Sequence, residues 1–239
     1  MENSYRIQLA PDMRPSPVDA VLVWAEGISS PSEVSDPPQL LKDRLAKAAD
    51  LGDQLISEER RKRVRQMLRF GKYRASGRGK PASEFLMRAA IEEAFPLINP
   101  PVDVNNAISL ASGYPGSLFD AVACGPELFV RRGVQEESYI FNASGQVIEL
   151  ADLLLVCRRV GEAWIPCGNP VKDSQATKIG PETRDVLAVL YVPAGEPRDE
   201  TVQWAEAYAD LLKSHCDADR VGWTIAWSDD AIGGAPADG

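Results

Sequence analysis

Two hydrophobic rhythms alternate along the chain, and they divide it into elements before any motif is considered. Residues 19–28, DAVLVWAEGI, form a run of aliphatic, β-branched and aromatic side chains bounded by Gly and Pro, which predicts a buried strand. Beyond a Ser/Pro-rich linker, Leu41, Leu45, Ala48 and Leu55 recur at helical spacing, predicting an amphipathic helix over about 38–56. Ser57 opens the capping pattern SEER of a second helix, whose later turns are rich in arginine. A third helix begins near Ala82 or Ser83, with Phe85, Leu86, Ala89 and Ala90 on its apolar side and Arg88 opposite.

The stretch PLINPPVDVNNAISLASGYPGSLFD, residues 96–120, predicts a short helix between two tightly specified loops. Pro100 and Pro101 start it, Val104, Ile108 and Ala111 give its apolar spacing, and Gly113 with Pro115 stops it. Two adjacent amides, Asn105 and Asn106, stand inside that helix, where Asn is a poor former and a buried amide requires partners. The residues alone leave both a structural tie to neighbouring loops and a binding role open. Beyond Asp120 the rhythm is that of strands: GPELFVRR, ESYIFN, a turn at ASGQ, and LADLLLVCRRV, together predicting an antiparallel sheet. A short strand at EAWIPC, a polar loop over 168–180, a strand at 186–192, a helix at 199–215 and a strand at 221–227 complete the pattern. The tail SDDAIGGAPADG has the composition of a disordered segment.

Composition narrows the classes. The 239 residues, 44% hydrophobic, suffice for a packed core. No apolar run reaches the length of about eighteen residues that a membrane span needs, and MENSYRIQLAPDMRP lacks the charged-then-apolar order of a signal peptide. The expectation is a cytoplasmic protein with no membrane partner. Cys124, Cys157, Cys167 and Cys216 form no CxxC pair, and with one histidine the spacing offers no plausible zinc quartet, so buried free thiols and no metal are expected.

The net charge of −9 argues against a general nucleic-acid coat, and DNA is not an expected partner. Between Arg60 and Lys80, however, the chain carries ten Lys or Arg and no acid, leaving −19 for the remainder. An acidic body with one basic arm suits selective docking of a single polyanion; a solvated helix face with a frayed loop is the competing account. Gly71, Gly77 and Gly79 interleave with Lys72, Arg74, Arg78 and Lys80, but Lys80 is followed by Pro81, so this is no Walker loop.

The chemical inventory is sparse. His215 stands alone near a helix end and reads as a surface side chain, and no GxSxG elbow, dinucleotide fingerprint or HExxH is present. No cofactor is expected. Polar groups gather instead in two places, Asn105, Asn106, Ser117 and Asp120 in one and Asp173, Ser174, Thr177 and Thr183 in the other. Such groups position water or an ammonium without a strong base, which suits intrinsically easy reactions.

The run from 74 to about 192 resembles the B3/B4 domain, the editing module of the β chain of bacterial phenylalanyl-tRNA synthetase, and more closely the free-standing proteins made of that domain. Asn99, Val102, Asp103 and Asn106 carry the resemblance, then Gly113 and Pro115 leading to Phe119 and Asp120, Gly125 with LFVRR, and Asp152 in the strand leading to Cys157. It implies an α+β fold of antiparallel sheets with flanking helices in layers: one domain over 1–230, its family core over 71–195, then a tail at 231–239. It also implies hydrolysis of the ester joining a wrong amino acid to tRNA, with Asn106 in the pocket.

Two departures qualify the substrate. A pocket histidine of the synthetase falls on Ser117 by ungapped spacing, and the loop that reads the tyrosine hydroxyl is replaced by CGNPVKDS, with Asp173 the nearest acid. A pocket with carboxylates and no histidine suits a cationic side chain, which Asp173 or Glu127 can pair. One free-standing branch of the family clears the arginine analogue canavanine from arginine tRNA. The expectation is therefore a trans-editing deacylase of mischarged tRNA, with Asn106 and Ser117 catalytic and Asp173, Ser174, Thr183 and Glu127 binding the amino acid. Arg74, Arg78, Lys80 and Arg131 would guide the acceptor end. The alternative is a non-catalytic tRNA- or amino-acid-binding module of the same fold, and nothing in the sequence fixes its oligomeric state.

Overall fold

The strand expected near residue 19 is the centre of the larger of two main sheets. A computed structural model describes residues 5–13, 15–31 and 36–229 and the backbone of 237–238. Strand β1 (Arg6–Leu9) precedes β2 (Val18–Glu26), and the first helices are α1 (Gln39–Leu51), α2 (Glu58–Leu68), α3 (Ala82–Ile91) and α4 (Pro100–Ser112). Then follow β3 (Gly116–Asp120), the one-turn α5 (Ala121–Cys124), β4 (Glu127–Arg132), the hairpin β5 (Ser138–Ile140) and β6 (Val147–Glu149), β7 (Leu154–Val160) and β8 (Ala163–Gly168). Last come β9 (Asp185–Pro193), α6 (Arg198–His215), β10 (Arg220–Ala226) and β11 (Ala237–Asp238).

Five strands in the order β11-β10-β2-β9-β3 make an all-antiparallel sheet. Its middle strands are buried on both faces: Ala20, Val21, Leu22 and Val23 of β2 and Val186 through Val192 of β9 are inaccessible. A strand sandwiched in this way carries a continuous apolar run rather than alternation, as the sequence of β2 shows. The second sheet, β1-β4-β7-β8, is antiparallel except for β1, which runs parallel to β4 with Arg6 opposite Glu127. The architecture is α+β with antiparallel sheets and flanking helices.

Helix α4 is the pivot of the helical layer, packing on α1, α3, α6 and β3. The expected start and stop are present. Asn99 caps its first turn by accepting from Val102 N at 3.1 Å, and Gly113 ends it in the left-handed region at φ 80°. Leu41, Leu55, Met87, Ala107 and Leu110 fill the contact between α1, α3 and α4. Ser57 caps α2 through Arg60 N at 3.2 Å.

Several elements depart from the sequence reading. The loop expected beyond Gly113 becomes edge strand β3, because Ser117, Leu118 and Phe119 pair with β9 opposite Val189, Ala188 and Leu187. Asp152 lies not in a strand but in the turn before β7, at φ 67°. His215 is partly buried rather than a surface side chain, and burial lowers its pKa. Most of the tail expected to be disordered lies outside the described residues, while Ala237 and Asp238 pair with Ile225 and Thr224. All four cysteines are buried and unbridged. Among the described residues no helix is long and apolar enough to cross a membrane.

Candidate active site

Of the two polar clusters singled out in the sequence, Asn105 and Asn106 of one and Asp173 of the other line a single cleft of about 500 Å³, while Ser117, Asp120, Ser174, Thr177 and Thr183 do not line it. Its walls are the first two turns of α4, the start of β3, the loop after β8 and the β5-β6 hairpin. That volume is within the range of small-molecule sites, about 300–1,000 Å³.

The α4 wall separates the two asparagines by role. Asn105 Oδ1 accepts from Tyr208 OH of α6 at 2.7 Å, and its amide nitrogen donates to Asn106 Oδ1 at 3.4 Å. Asn105 is therefore the structural tie. Asn106 has its oxygen held by that bond, and its amide nitrogen has no hydrogen-bond acceptor among the described residues while the side chain lines the cleft. It is a donor left for a guest.

Opposite stands Asp173. Ser117 Oγ donates to its Oδ1 at 2.6 Å and Leu118 N to its Oδ2 at 3.2 Å, so edge strand β3 grips the carboxyl with a hydroxyl and an amide. Ser117 itself is fully buried, and its Oγ also contacts Tyr191 OH at 2.9 Å. Tyr191 lies two residues along β9 from Val189, the partner of Ser117, so both side chains share one face of the sheet. Burial pushes the Asp173 carboxyl up to about 7, against the opposing pull of Ser117, the Leu118 amide and nearby Lys178. Gly168 makes the approach possible: a Cβ there would stand 2.7 Å from Asp173 Oδ1 and 2.5 Å from Phe119 Cζ.

The loop carrying Asp173 is stitched in place. Asn169 Oδ1 accepts from the amides of Val171 and Lys172 at 2.8 and 3.0 Å, its nitrogen donates to Tyr139 OH at 2.6 Å, and that hydroxyl donates to Lys172 O at 2.6 Å. The chain ties the loop to the hairpin, whose Phe141 and Asn142 also line the cleft. Lys172 Nζ sits 3.9 Å from the Phe141 ring centroid, and Lys178 completes a mixed-charge wall. Sequence reasoning missed Lys172, Lys178, Asn169 and Phe141; the lysines flanking Asp173 in KDSQATK were the available signal.

Other expected site residues lie elsewhere. Ser174 caps the turn after it through Ala176 N at 3.2 Å, and Thr183 donates to Asp120 Oδ2 at 2.5 Å and accepts from Gly180 N at 2.9 Å. Glu127, on the smaller sheet, pairs with Arg6. None of the three lines the cleft. Arg131 is engaged by both oxygens of Glu137, at 2.5 and 2.8 Å.

The basic arm is divided. Arg60 pairs with Glu200 at 2.7 Å, Arg63 with Glu196 at 3.1 Å and Arg65 with Glu84 at 2.5 Å, so much of α2 docks on acidic groups of the body, while Lys62 pairs with Glu58 of the same helix at 2.7 Å. Arg74 folds onto the carbonyls of Gly71 and Tyr73, both at 2.8 Å. Arg69, Lys72, Arg78 and Lys80 have no ion-pair partner among the described residues. Lys80 stands two residues before Ala82 of the cleft wall, which donates its N–H to Pro170 O at 2.8 Å. Among the described residues no three His, Cys, Asp or Glu side chains gather as metal ligands.

No curated protein matches the chain significantly. A solved N-terminal fragment of the phenylalanyl-tRNA synthetase beta-subunit from Pyrococcus horikoshii is similar in fold, with a TM-score of 0.50 at 8% identity. The similarity covers 95% of this chain and 53% of that one, so the chain spans about half the fragment's length. The B3/4 domain family matches residues 73–197, which hold α3, α4, β3, the hairpin and the Asp173 loop. With that match extending over more than half of its residues, the chain belongs to the B3/4 domain family.

Proposed function

We propose that this protein is a trans-editing aminoacyl-tRNA deacylase, with canavanyl-tRNA(Arg) as its candidate substrate. The observation that carries the reading is the pairing, in one cleft, of an uncommitted amide donor, Asn106, with a half-buried carboxyl, Asp173. Family membership and the fold shared with a fragment of a phenylalanyl-tRNA synthetase subunit support a tRNA-related role.

The chemistry asked of the site is modest. Water attacks the carbonyl carbon of the aminoacyl ester, the bond to the ribose oxygen breaks, and that oxygen takes up a proton. Asn106 Nδ2 donates to the carbonyl oxygen as it gains negative charge, a contribution of about 100- to 1,000-fold for a well-placed donor. Asp173 receives the cationic side chain of the amino acid in a charge-assisted hydrogen bond. Ser117 acts through Asp173: its hydroxyl is buried between Asp173 and Tyr191, so it orients the carboxyl and does not attack the ester. Lys172 and Lys178 at the wall suit the phosphate of the terminal nucleotide. On this reading the protein works in the cytoplasm, on tRNA.

The absence of a serine, threonine or cysteine among the described residues that line the cleft also suits a second reading, a module that binds tRNA or an amino acid without turnover. One panel separates the two. Canavanyl-tRNA(Arg), arginyl-tRNA(Arg) and tyrosyl-tRNA(Phe) are incubated with the protein and the released amino acid is measured. The proposal expects rapid loss of the canavanyl ester with the arginyl ester spared. Persistence of all three esters, or their protection relative to buffer, would favour the binding module.

A further inference from the structure

The turn that follows α2 presents an aromatic ring inside a cationic groove that ester hydrolysis does not use. Phe70 is 49% exposed, yet its turn is tightly held. Phe70 O accepts from Tyr73 N at 2.8 Å, and Gly71 lies at φ 45°, where a Cβ would meet Asp152 Oδ2 at 2.3 Å. That same carboxylate oxygen accepts from Lys72 N at 2.7 Å, so the turn is clamped from across the fold. Arg132 backs the ring with its guanidinium 4.8 Å from the centroid. Its NH2 group donates to Met67 O at 2.9 Å, which fixes the guanidinium in turn.

The groove beside the ring measures about 800 Å³, and Lys62, Gln66, Arg69, Arg74 and Ser76 line it. A half-exposed ring kept rigid among cations gains little for folding. What it offers is a flat apolar face, already ordered, with positive charge on either side. Bases of any sequence stack on such a face, and phosphates on either side of the base find the cations. The surrounding chain, at −19 outside the arm, disfavours a polyanion over most of its remaining surface. An acidic peptide would satisfy the charges but would leave the ring unused.

We propose that this groove binds an unpaired nucleotide of an RNA strand, with the base stacked on Phe70 and the flanking phosphates meeting Arg69 and Lys62, the latter exchanging its exposed pairing with Glu58 for the phosphate. The proposal deepens the reading of the protein as a tRNA enzyme and rests on it for the identity of the natural RNA. Its test does not, because the probe carries no aminoacyl ester.

The protein is titrated into a short unstructured RNA containing 2-aminopurine, with a duplex of equal length for comparison. Binding is expected to quench the fluorophore, to weaken steeply with salt and to favour the single strand. Phe70→Leu keeps apolar packing on Arg132 but removes the flat π face, and should weaken binding by about tenfold or more and abolish the quench. Phe70→Tyr should retain both, and melting curves show that each variant is folded. Unchanged affinity in Phe70→Leu, equal affinity for the duplex, or no binding of the single strand by the wild-type protein would overturn the proposal. Deacylation by the same variants separates the two claims: turnover without Phe70-dependent RNA binding removes the groove alone, and RNA stacking without turnover removes the hydrolase alone.

Discussion

Asp173 has an ordinary carboxylate value of 3.8 in the unfolded chain and holds its proton to about 7 in the folded one. Between those values the folded state binds the extra proton, so this residue's contribution to stability falls as pH rises through that window. Asp173→Asn mimics the protonated form, keeping an acceptor for Leu118 N and offering a donor to Ser117 Oγ. The variant should melt a few degrees above the wild type near pH ~8, a gain of about 1–2 kcal/mol, discounted because the open cleft lets water reach the carboxyl. The difference should close as pH falls towards ~3, below the unfolded value of 3.8, where folded and unfolded carboxyls are both protonated. Thermal melts across that range check it; a difference independent of pH would mean that the carboxyl titrates normally. For catalysis the sign reverses. Pairing with a cationic side chain needs the ionised form, so turnover of canavanyl-tRNA should rise through pH ~7 once spontaneous ester loss is subtracted.

Strands β3 and β8 bring the carboxyl to the cleft, and Gly168 is the tightest point of their assembly. An added methyl would press on Phe119 Cζ at 2.5 Å and on Asp173 Oδ1 at 2.7 Å, and β9 on the far side of β3 leaves no room to retreat. Gly168→Ala should cost about 1–3 kcal/mol, the range for overpacking a filled site, read as a lowered melting temperature. A neutral substitution would show the packing to be looser than described. Where packing is decided by apolar rhythm the sequence was legible: β2, α1 and α4 stand where periodicity, Pro100 and Gly113 set them. Edge strand β3 was not, because five residues containing Gly and Ser carry no strand signal until β9 supplies partners. The parallel seating of β1 on β4 is likewise a long-range choice that four residues do not announce. At the site, Asn106 and Asp173 were visible as polar groups in improbable company. That Ser174 and Thr183 serve their own turns, and that Glu127 faces Arg6, depends on directions only the fold supplies.

At the scale of the molecule, charge and shape agree. An acidic body carries a basic arm whose first half is pinned to Glu196, Glu200 and Glu84, while Arg69, Lys72, Arg78 and Lys80 have no ion-pair partner among the described residues, Lys80 standing two residues from the cleft wall at Ala82. Affinity for tRNA through such cations should be steep in salt and indifferent to base identity. Ester hydrolysis is assigned more narrowly, to the α4 wall of the cleft. Asn106→Ala tests it most directly, because Asn105 keeps its bond to Tyr208 and the fold loses only one weak contact. Single-turnover deacylation of canavanyl-tRNA(Arg), with melting measured in parallel, should show the rate falling by about 100-fold or more at a nearly unchanged melting temperature. A variant that melts like the wild type and hydrolyses the ester as fast would contradict the account.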